Sequence, residues 1–287
     1  MDHPRIGIIG GSGLYAMDGL RNIREHLIDT PYGAPSDAIL TGRVDDVPVA
    51  FLARHGRGHR LIPSEIPYRA NIYALKALGV SELLAISAVG SLREDIEPLD
   101  MVLPDQFIDL TRQRPSTFFG QGAVAHVAMA DPVCTLLAAR VASAFDRSNV
   151  PDVRLHHGGT YACIDGPAFS TRAESHMLRS LGAHIVGMTN MPEARLAREA
   201  QMAYATLALV TDYDCWHTQR EAVSADMAIA NLMRNAKHAQ SVARTLVRLL
   251  HADPIASPAH TALQSALITR PEDMAPETRA RLAVLLT

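Results

Sequence analysis

Two carboxylates one residue apart, Asp212 and Asp214, follow the apolar run 204–210 in the phrase Thr211-Asp212-Tyr213-Asp214-Cys215-Trp216. Such a run reads as a buried strand, so both carboxyls stand at a strand end, where α/β proteins gather ligands. Two carboxyls sharing a cleft repel each other when both are ionised, which raises one pKa and keeps an acid available. That acid can give a proton or a strong hydrogen bond to a ring nitrogen while its partner accepts from an exocyclic amine. A D-x-D pair also suits a metal ion or an ordinary acidic loop, and spacing does not separate these readings.

Groups suited to an anion lie at other strand ends. Arg54-His55-Gly56 follows the apolar run 47–53, and an arginine fork can hold phosphate oxygens bidentately where a lysine cannot. Gly10-Gly11-Ser12-Gly13 follows the first apolar run; its small residues let backbone N–H groups approach an anion, although a plain tight turn has the same letters. Gly11-x-Gly13-x-x-Ala16 also matches a dinucleotide fingerprint, but the chain runs on through Asp18-Gly19 to the turn Thr30-Pro31-Tyr32-Gly33. A dinucleotide site needs a helix and a second strand ending in an acid there. Ser87-Ala88-Val89-Gly90-Ser91 and Met188-Thr189 place two more hydroxyls at strand ends, where each alone is more often a cap or a turn.

The elements that must position these groups are short apolar runs at 6–9, 47–53, 83–89, 101–103, 185–188 and 204–210, read as strands. Stretches with helical spacing, 70–78 and 132–145, fall between several of them, which is the rhythm of an α/β fold with a largely buried sheet. Thr171-Arg172-Ala173-Glu174 is a capping box opening a helix, so Asp165-Gly166-Pro167-Ala168-Phe169-Ser170 is the loop that feeds it. Residues 221–251 read as one amphipathic helix. The proline-rich tail, about 252–287, reads as short helices over 262–268 and 278–286 packed on a single domain spanning 1–287.

The bulk properties narrow the partners. The chain has 287 residues, a formal charge of -3, 48% hydrophobic and 20% charged residues, the balance of a globular protein able to bury a sizeable core. That charge draws in neither nucleic acid nor an anionic membrane, so anion chemistry must come from a local site and a small ligand. No apolar run approaches the roughly 20 residues of a membrane span and residues 1–11 lack a signal-peptide core, which points to the cytoplasm. Cys134, Cys163 and Cys215 form no disulfide framework or CxxC metal site and read as buried small apolar residues.

Taken in order, Gly10-Gly11-Ser12-Gly13-Leu14, Thr30-Pro31-Tyr32-Gly33-Ala34-Pro35-Ser36, Arg54-His55-Gly56, Gly90-Ser91-Leu92-Arg93, Asp165-Gly166-Pro167, Met188-Thr189-Asn190-Met191-Pro192-Glu193 and Thr211 to Trp216 resemble the methylthioadenosine phosphorylase family, trimeric purine nucleoside phosphorylases. The resemblance covers roughly residues 5 to 250. It implies an α/β domain with a twisted mixed β-sheet flanked by helices, a homotrimer with sites near subunit boundaries, no metal or cofactor, and inorganic phosphate as co-substrate of a purine nucleoside. Carried over by position, it implies that Ser12, Arg54, His55, Ser87, Ala88 and Thr189 hold phosphate. Val186 and Met188 would lie along the nucleoside, Phe169 would stack on the purine and Ser170 would line its pocket. Asp212 and Asp214 would read the base, with Asp212 acting on N7, and His126 would reach the 5' substituent in a neighbouring subunit.

The sequence departs from the family pattern at Ala168, where the family has Arg, at Asp165, where it has Glu, and at Ala225 and Ala228, where it carries larger aliphatics. The expected activity is phosphorolysis of 5'-methylthioadenosine. Phosphorolysis of methylthioinosine or ordinary purine nucleosides, hydrolytic cleavage, and nucleoside or NAD binding without catalysis stand as alternatives. The aspartate pair favours a 6-amino purine, because an ionised carboxylate repels a 6-oxo group.

Overall fold

A computed structural model describes residues 5–11, 19–217 and 224–287. The order is β1 (Ile6–Gly10), β2 (Arg21–His26), β3 (Ile39–Val44), β4 (Val47–Ala53), α1 (Tyr68–Ala77), β5 (Glu82–Ser91), β6 (Met101–Leu103), β7 (Gln106–Asp109), α2 (Thr135–Arg147), β8 (Leu155–His157), β9 (Thr160–Cys163), α3 (Arg172–Ser180), β10 (Ile185–Gly187), α4 (Asn190–Glu199), β11 (Ala203–Asp212), α5 (Ala225–Ala252) and α6 (Pro276–Leu282). The apolar runs became strands because β1 and β11 are buried at every position, which only a sheet covered on both faces accommodates. The strands missing from the sequence reading have different causes. β2 is an almost wholly exposed edge strand, β3 is interrupted by Thr41, Gly42 and Arg43, and β7, β8 and β9 are three or four residues long with polar residues among them, so none offers an unbroken apolar run.

The eleven described strands form one mixed sheet. β5 is its axis, with β1 parallel on one side and β11 parallel on the other. Near its C-terminal end β5 also pairs antiparallel with β10, Ile185 opposite Ser91 and Val186 opposite Gly90. The sheet therefore divides beyond β5, one branch running through β11 to β6 and β8, the other through β10 to β9 and β7. One face packs on α1 and α4, through Ile72, Leu75 and Leu196. The other packs on α2 and α5, through Leu137, Val141, Val242 and Leu246. These are the flanking layers of a single α/β domain.

The capping box forms as expected, Glu174 N donating to Thr171 Oγ1 at 3.2 Å and Thr171 N to Glu174 Oε2 at 2.7 Å. The expected helix at 262–268 does not form. A single 3-10 turn occupies Pro258–Thr261, turns follow, and Ile268 and Thr269 donate their amides to Val124 O. The chain is drawn across to a neighbouring segment, where Ala125 and Leu267 form a bridge, before a helical ladder can extend. Leu263, Met274, Leu282 and Leu285 bury the tail in the same core as α1 and α4. No described helix is long and apolar enough to cross a membrane.

Candidate active site

Strands β1, β4, β5 and β11 run the same way, and their C-terminal ends open into one cavity of about 650 Å³. Arg54, His55, Ser87, Ala88, Thr189, Phe169, Ser170, Val186, Met188, Asp212 and Asp214 all line it. Ser12 lies outside the described residues, although Gly11 reaches the cavity wall. His126 is exposed and does not line this chain's cavity; its amide donates to Ala266 O at 2.8 Å. Ala225 and Ala228, from the first turn of α5, complete an apolar wall with Ile229 and Leu232. Among the described residues no group of three or more His, Cys, Asp or Glu is placed to hold a metal ion.

The antiparallel register of β5 with β10 brings Thr189 level with Ser87, and their hydroxyls meet at 3.1 Å. Arg54 is almost completely buried beside them. Its fork faces Glu193 and not the cavity, with Nε donating to Oε2 at 2.7 Å and Nη2 to Oε1 at 2.9 Å. Nη1 and Nη2 donate further to Ile86 O and Ile9 O. Four of the five N–H groups of an arginine are thus committed to protein acceptors, which corrects the expectation of a bidentate grip on an anion: one Nη1–H remains for it. Burial works against the guanidinium's charge, and the Glu193 carboxylate more than offsets it, holding Arg54 above its ordinary pKa. Glu193 also accepts from Tyr204 Oη at 2.9 Å.

Burial lowers His55 to about 4, so the ring is neutral near pH 7. Leu61 O, 2.9 Å from His55 Nδ1, can only accept, which places the proton on Nδ1 and leaves Nε2 an acceptor. His59 stacks on the ring with centroids 4.2 Å apart.

At the other end, a register shift between Val210 and Asp212 sets Asp212 opposite Gly90, re-aiming the side chain as β-bulges do. A Cβ on Gly90 would come within 2.9 Å of Asp212 Oδ1, so the carboxyl occupies space that any larger residue would close. Asp214 N donates to Asp212 Oδ1 at 2.7 Å across a tight turn in which Asp214 takes φ 52°, a conformation aspartate tolerates. The Thr211 hydroxyl has one hydrogen and two acceptors in reach, Asp212 Oδ2 at 2.7 Å and Val89 O at 3.2 Å. Donating to Asp212 suits the ionised carboxylate. With Asp212 protonated, Thr211 can turn to Val89 O and accept from the acid, so both protonation states find partners.

Both aspartates are shifted upward, and burial is the leading cause in each. Repulsion from Asp214 is the smallest contribution at Asp212, so the expectation of mutual repulsion as the driver is corrected. Asp214 Oδ2 is buried without a hydrogen bond of good geometry, although the Ser175 and Ser170 hydroxyls lie near enough to the carboxyl to oppose the upward shift. Polar atoms held this loosely in a cavity wall can turn to a ligand. Phe169 stands above them with its side chain 43% exposed. Cys134 and Cys163 are buried as expected, whereas Cys215 is half-buried, donating Sγ to Ser170 O at 3.1 Å.

Sequence reasoning missed the residue that fixes the 165–170 loop. Arg114 is buried behind it, Nη1 donating to Met188 O and Met191 O, each at 2.7 Å, and Nη2 to Asp165 O at 2.8 Å. Nε lies 3.7 Å from Asp165 Oδ1. One guanidinium thereby ties the loop to the turn that carries Thr189, which gives the loop a cationic support despite Ala168. Arg114 sits in the irregular phrase Arg112-Gln113-Arg114-Pro115, where no strand or helix period marks it.

The arrangement brings Arg54, His55, Ser87, Thr189 and the two aspartates into one cavity, and comparison with known proteins gives the family. The Phosphorylase superfamily profile matches residues 5–248. S-methyl-5'-thioadenosine phosphorylase of Thermosynechococcus vestitus is 56% identical over 282 residues, 98% of each chain. A crystal structure of a methylthioadenosine phosphorylase from an antarctic soil metagenomic library superposes with a TM-score of 0.96 at 60% identity, covering 100% of both chains. A variant of the adenosine/methylthioadenosine phosphorylase of Schistosoma mansoni, in complex with methylthioadenosine, gives 0.83 at 33% identity over 99% of this chain and 97% of that one. The chain belongs to the methylthioadenosine phosphorylase family of the Phosphorylase superfamily.

Proposed function

We propose that this cavity performs phosphorolysis of 5'-methylthioadenosine, converting it with inorganic phosphate to adenine and 5-methylthioribose 1-phosphate. The observation that carries the reading is that the anion cup (Arg54, His55, Ser87, Thr189) and the aspartate pair line the same cavity. In this reading Ser12 and the Ala88 backbone also hold phosphate. Neutral His55 accepts the remaining P–OH through Nε2, while the Ser87 and Thr189 hydroxyls and the last Arg54 N–H donate to phosphate oxygens. Phe169 stacks on the purine, Ser170 lines its pocket, and Val186 and Met188 flank the nucleoside.

The C1'–N9 bond stretches first, its electron pair leaving with the base and positive charge gathering on the ribose, which the phosphate dianion stabilises before its oxygen bonds to C1'. Burial favours the neutral form of Asp212, and in this reading the acid passes its proton to N7 so that adenine departs neutral. Asp214 Oδ2, which makes no hydrogen bond of good geometry within the protein, accepts from the 6-amino group; a 6-oxo base offers no hydrogen there. No covalent enzyme intermediate and no metal or other cofactor takes part.

We read the working form as a cytoplasmic homotrimer in which a neighbour's His126 closes the 5' end. In support, exposed Val124 and Ile268 stand on the same segment pair as His126, an apolar surface suited to burial between subunits. The test is a chromatographic assay of methylthioadenosine, methylthioinosine, adenosine and inosine with and without phosphate. Methylthioadenosine should turn over fastest and only with phosphate. Undiminished cleavage in phosphate-free buffer would assign a hydrolase, and ligand-induced stabilisation with no product would assign a binding protein.

A further inference from the structure

Behind the anion cup, outside the cavity lining, stands a side chain to which no role has been given. Tyr161 on β9 is fully buried, packed against Phe107 with ring centroids 5.6 Å apart. Its hydroxyl reaches one of the two hydroxyls of the cup, that of Ser87. Ser87 Oγ is 3.4 Å from Tyr161 Oη and 3.1 Å from Thr189 Oγ1, and the Thr189 amide lies against the phenol oxygen as a donor. The backbone makes room for this hydroxyl, because a Cβ on Gly187 would fall 2.0 Å from Tyr161 Oη, a distance no packed atom survives. Gly187 is the residue before Met188-Thr189, so the glycine, the phenol and the cup are built together.

We propose that Tyr161 is a positioning residue for phosphate, its hydroxyl setting the direction in which Ser87 and Thr189 present their hydrogens to the anion. The argument is one of hydrogen counting. Burial holds the phenol above its ordinary pKa, so it stays protonated and has one hydrogen to give. The Thr189 amide is a donor and cannot take it, which leaves Ser87 Oγ as the acceptor within reach. Ser87, having accepted, sends its own hydrogen onward, to Thr189 Oγ1 at 3.1 Å, to an oxygen in the cavity or, over a longer contact, to Ala88 O at 3.4 Å. When Ser87 donates to Thr189, the Thr189 hydrogen is left to point outward. Free hydroxyls rotate; a chain with a fixed donor at its buried end has one direction, and an anion site needs donors already turned toward it. The 3.4 Å contact is long for a hydroxyl pair, so the expected effect is a modest one on binding.

This inference rests on the phosphate-site reading of Ser87 and Thr189, and the experiment separates the two. Steady-state KM values for phosphate and for methylthioadenosine, with kcat, are measured for Y161F, S87A and T189A. Losing one neutral hydrogen bond of about 1 kcal/mol corresponds to roughly a fivefold rise in phosphate KM for Y161F. Its nucleoside KM and its kcat at saturating phosphate should stay within about twofold of wild type. Added to S87A, where its acceptor is gone, Y161F should raise phosphate KM less than about twofold further. Gly187→Ala, which displaces the phenol by a different route, should raise phosphate KM likewise, and phosphate alone should raise the melting temperature of both variants less than that of wild type. If S87A and T189A raise phosphate KM and Y161F does not, Tyr161 has no positioning role. Equal rises in both KM values, or a fall in kcat alone, would overturn it too by marking general damage. If all three variants keep the wild-type phosphate KM, the phosphate-site reading itself fails.

Discussion

The two ends of the cavity are built on opposite principles. At the anion end, Arg54 is locked to Glu193 and to the carbonyls of Ile9 and Ile86, Glu193 is held by Tyr204, and the cup hydroxyls bond one another. At the base end, Asp214 Oδ2, Ser170 Oγ and Ser175 Oγ are buried without hydrogen bonds of good geometry, and both aspartates are shifted toward their neutral forms. A site for phosphate must be rigid before its ligand arrives, because oriented donors gain their effect from not having to reorganise. A site that hands over a proton must hold a group near its switching point, and burial of the Asp212 carboxyl moves it in that direction. On the proposed reading the anion end contributes stability and the base end reactivity, and substitutions should separate the two.

The largest effect is expected at the base end. Asp212→Ala should lower kcat on methylthioadenosine by about 10²–10⁴-fold, the usual contribution of a positioned acid, with little loss of melting temperature. Steady-state kinetics beside a thermal melt checks this, and near-normal turnover would remove Asp212 from the chemistry. At the anion end the pattern should invert. Glu193→Gln leaves the buried Arg54 charge half-partnered and should reduce unfolding free energy by about 3 kcal/mol, read by denaturant titration. A loss below roughly 1 kcal/mol would mean that the pair is not what holds this end rigid.

Selectivity gives a smaller and sharper test. Asp214→Asn keeps a residue tolerant of the left-handed turn but offers an amide hydrogen where the carboxylate accepted. The ratio of kcat/KM for methylthioadenosine over methylthioinosine should fall about tenfold or more, measured by competition between the two substrates. An unchanged ratio would place base recognition elsewhere.

A further test lies in the pH dependence of stability, where the two ends should differ in sign. The folded-state pKa of Asp212 lies above the 3.8 of a free carboxyl. Between those values the folded state binds more protons than the unfolded chain, so this group's contribution is lost as pH rises through the window. His55 falls from 6.5 to about 4; between those values the unfolded chain binds more protons, and stability rises with pH. Asp212→Asn should remove the first trend and His55→Gln the second. Melting curves from pH 4 to 7 read both, and parallel profiles for wild type and His55→Gln would show that the ring is not held neutral.

How much of this was legible in the sequence follows from how local each feature is. β1, β4, β5 and β11 announced themselves because strands buried on both faces are unbroken apolar runs. The cap of α3 was legible because Thr171 and Glu174 satisfy each other within four residues. α4 was hidden because it begins Asn190-Met191-Pro192 with Met191 outside helical angles, so its start resembles a turn. The residues lining the cavity were found at strand ends, yet those supporting them were not. Glu193, Arg114 and Tyr161 act on partners 139, 74 and 74 positions away, and no spacing rule reaches that far. The fork of Arg54 was expected on phosphate oxygens, but its partner is the carboxylate of Glu193 on α4, 139 positions away.

The most direct test is a crystal structure with sulfate and methylthioadenosine bound together. This account predicts a sulfate oxygen within hydrogen-bonding distance of Ser87 and Thr189, purine N7 beside Asp212, and C1' lying between the two. Sulfate and purine in separate cavities, or a purine whose N7 faces away from Asp212, would contradict it.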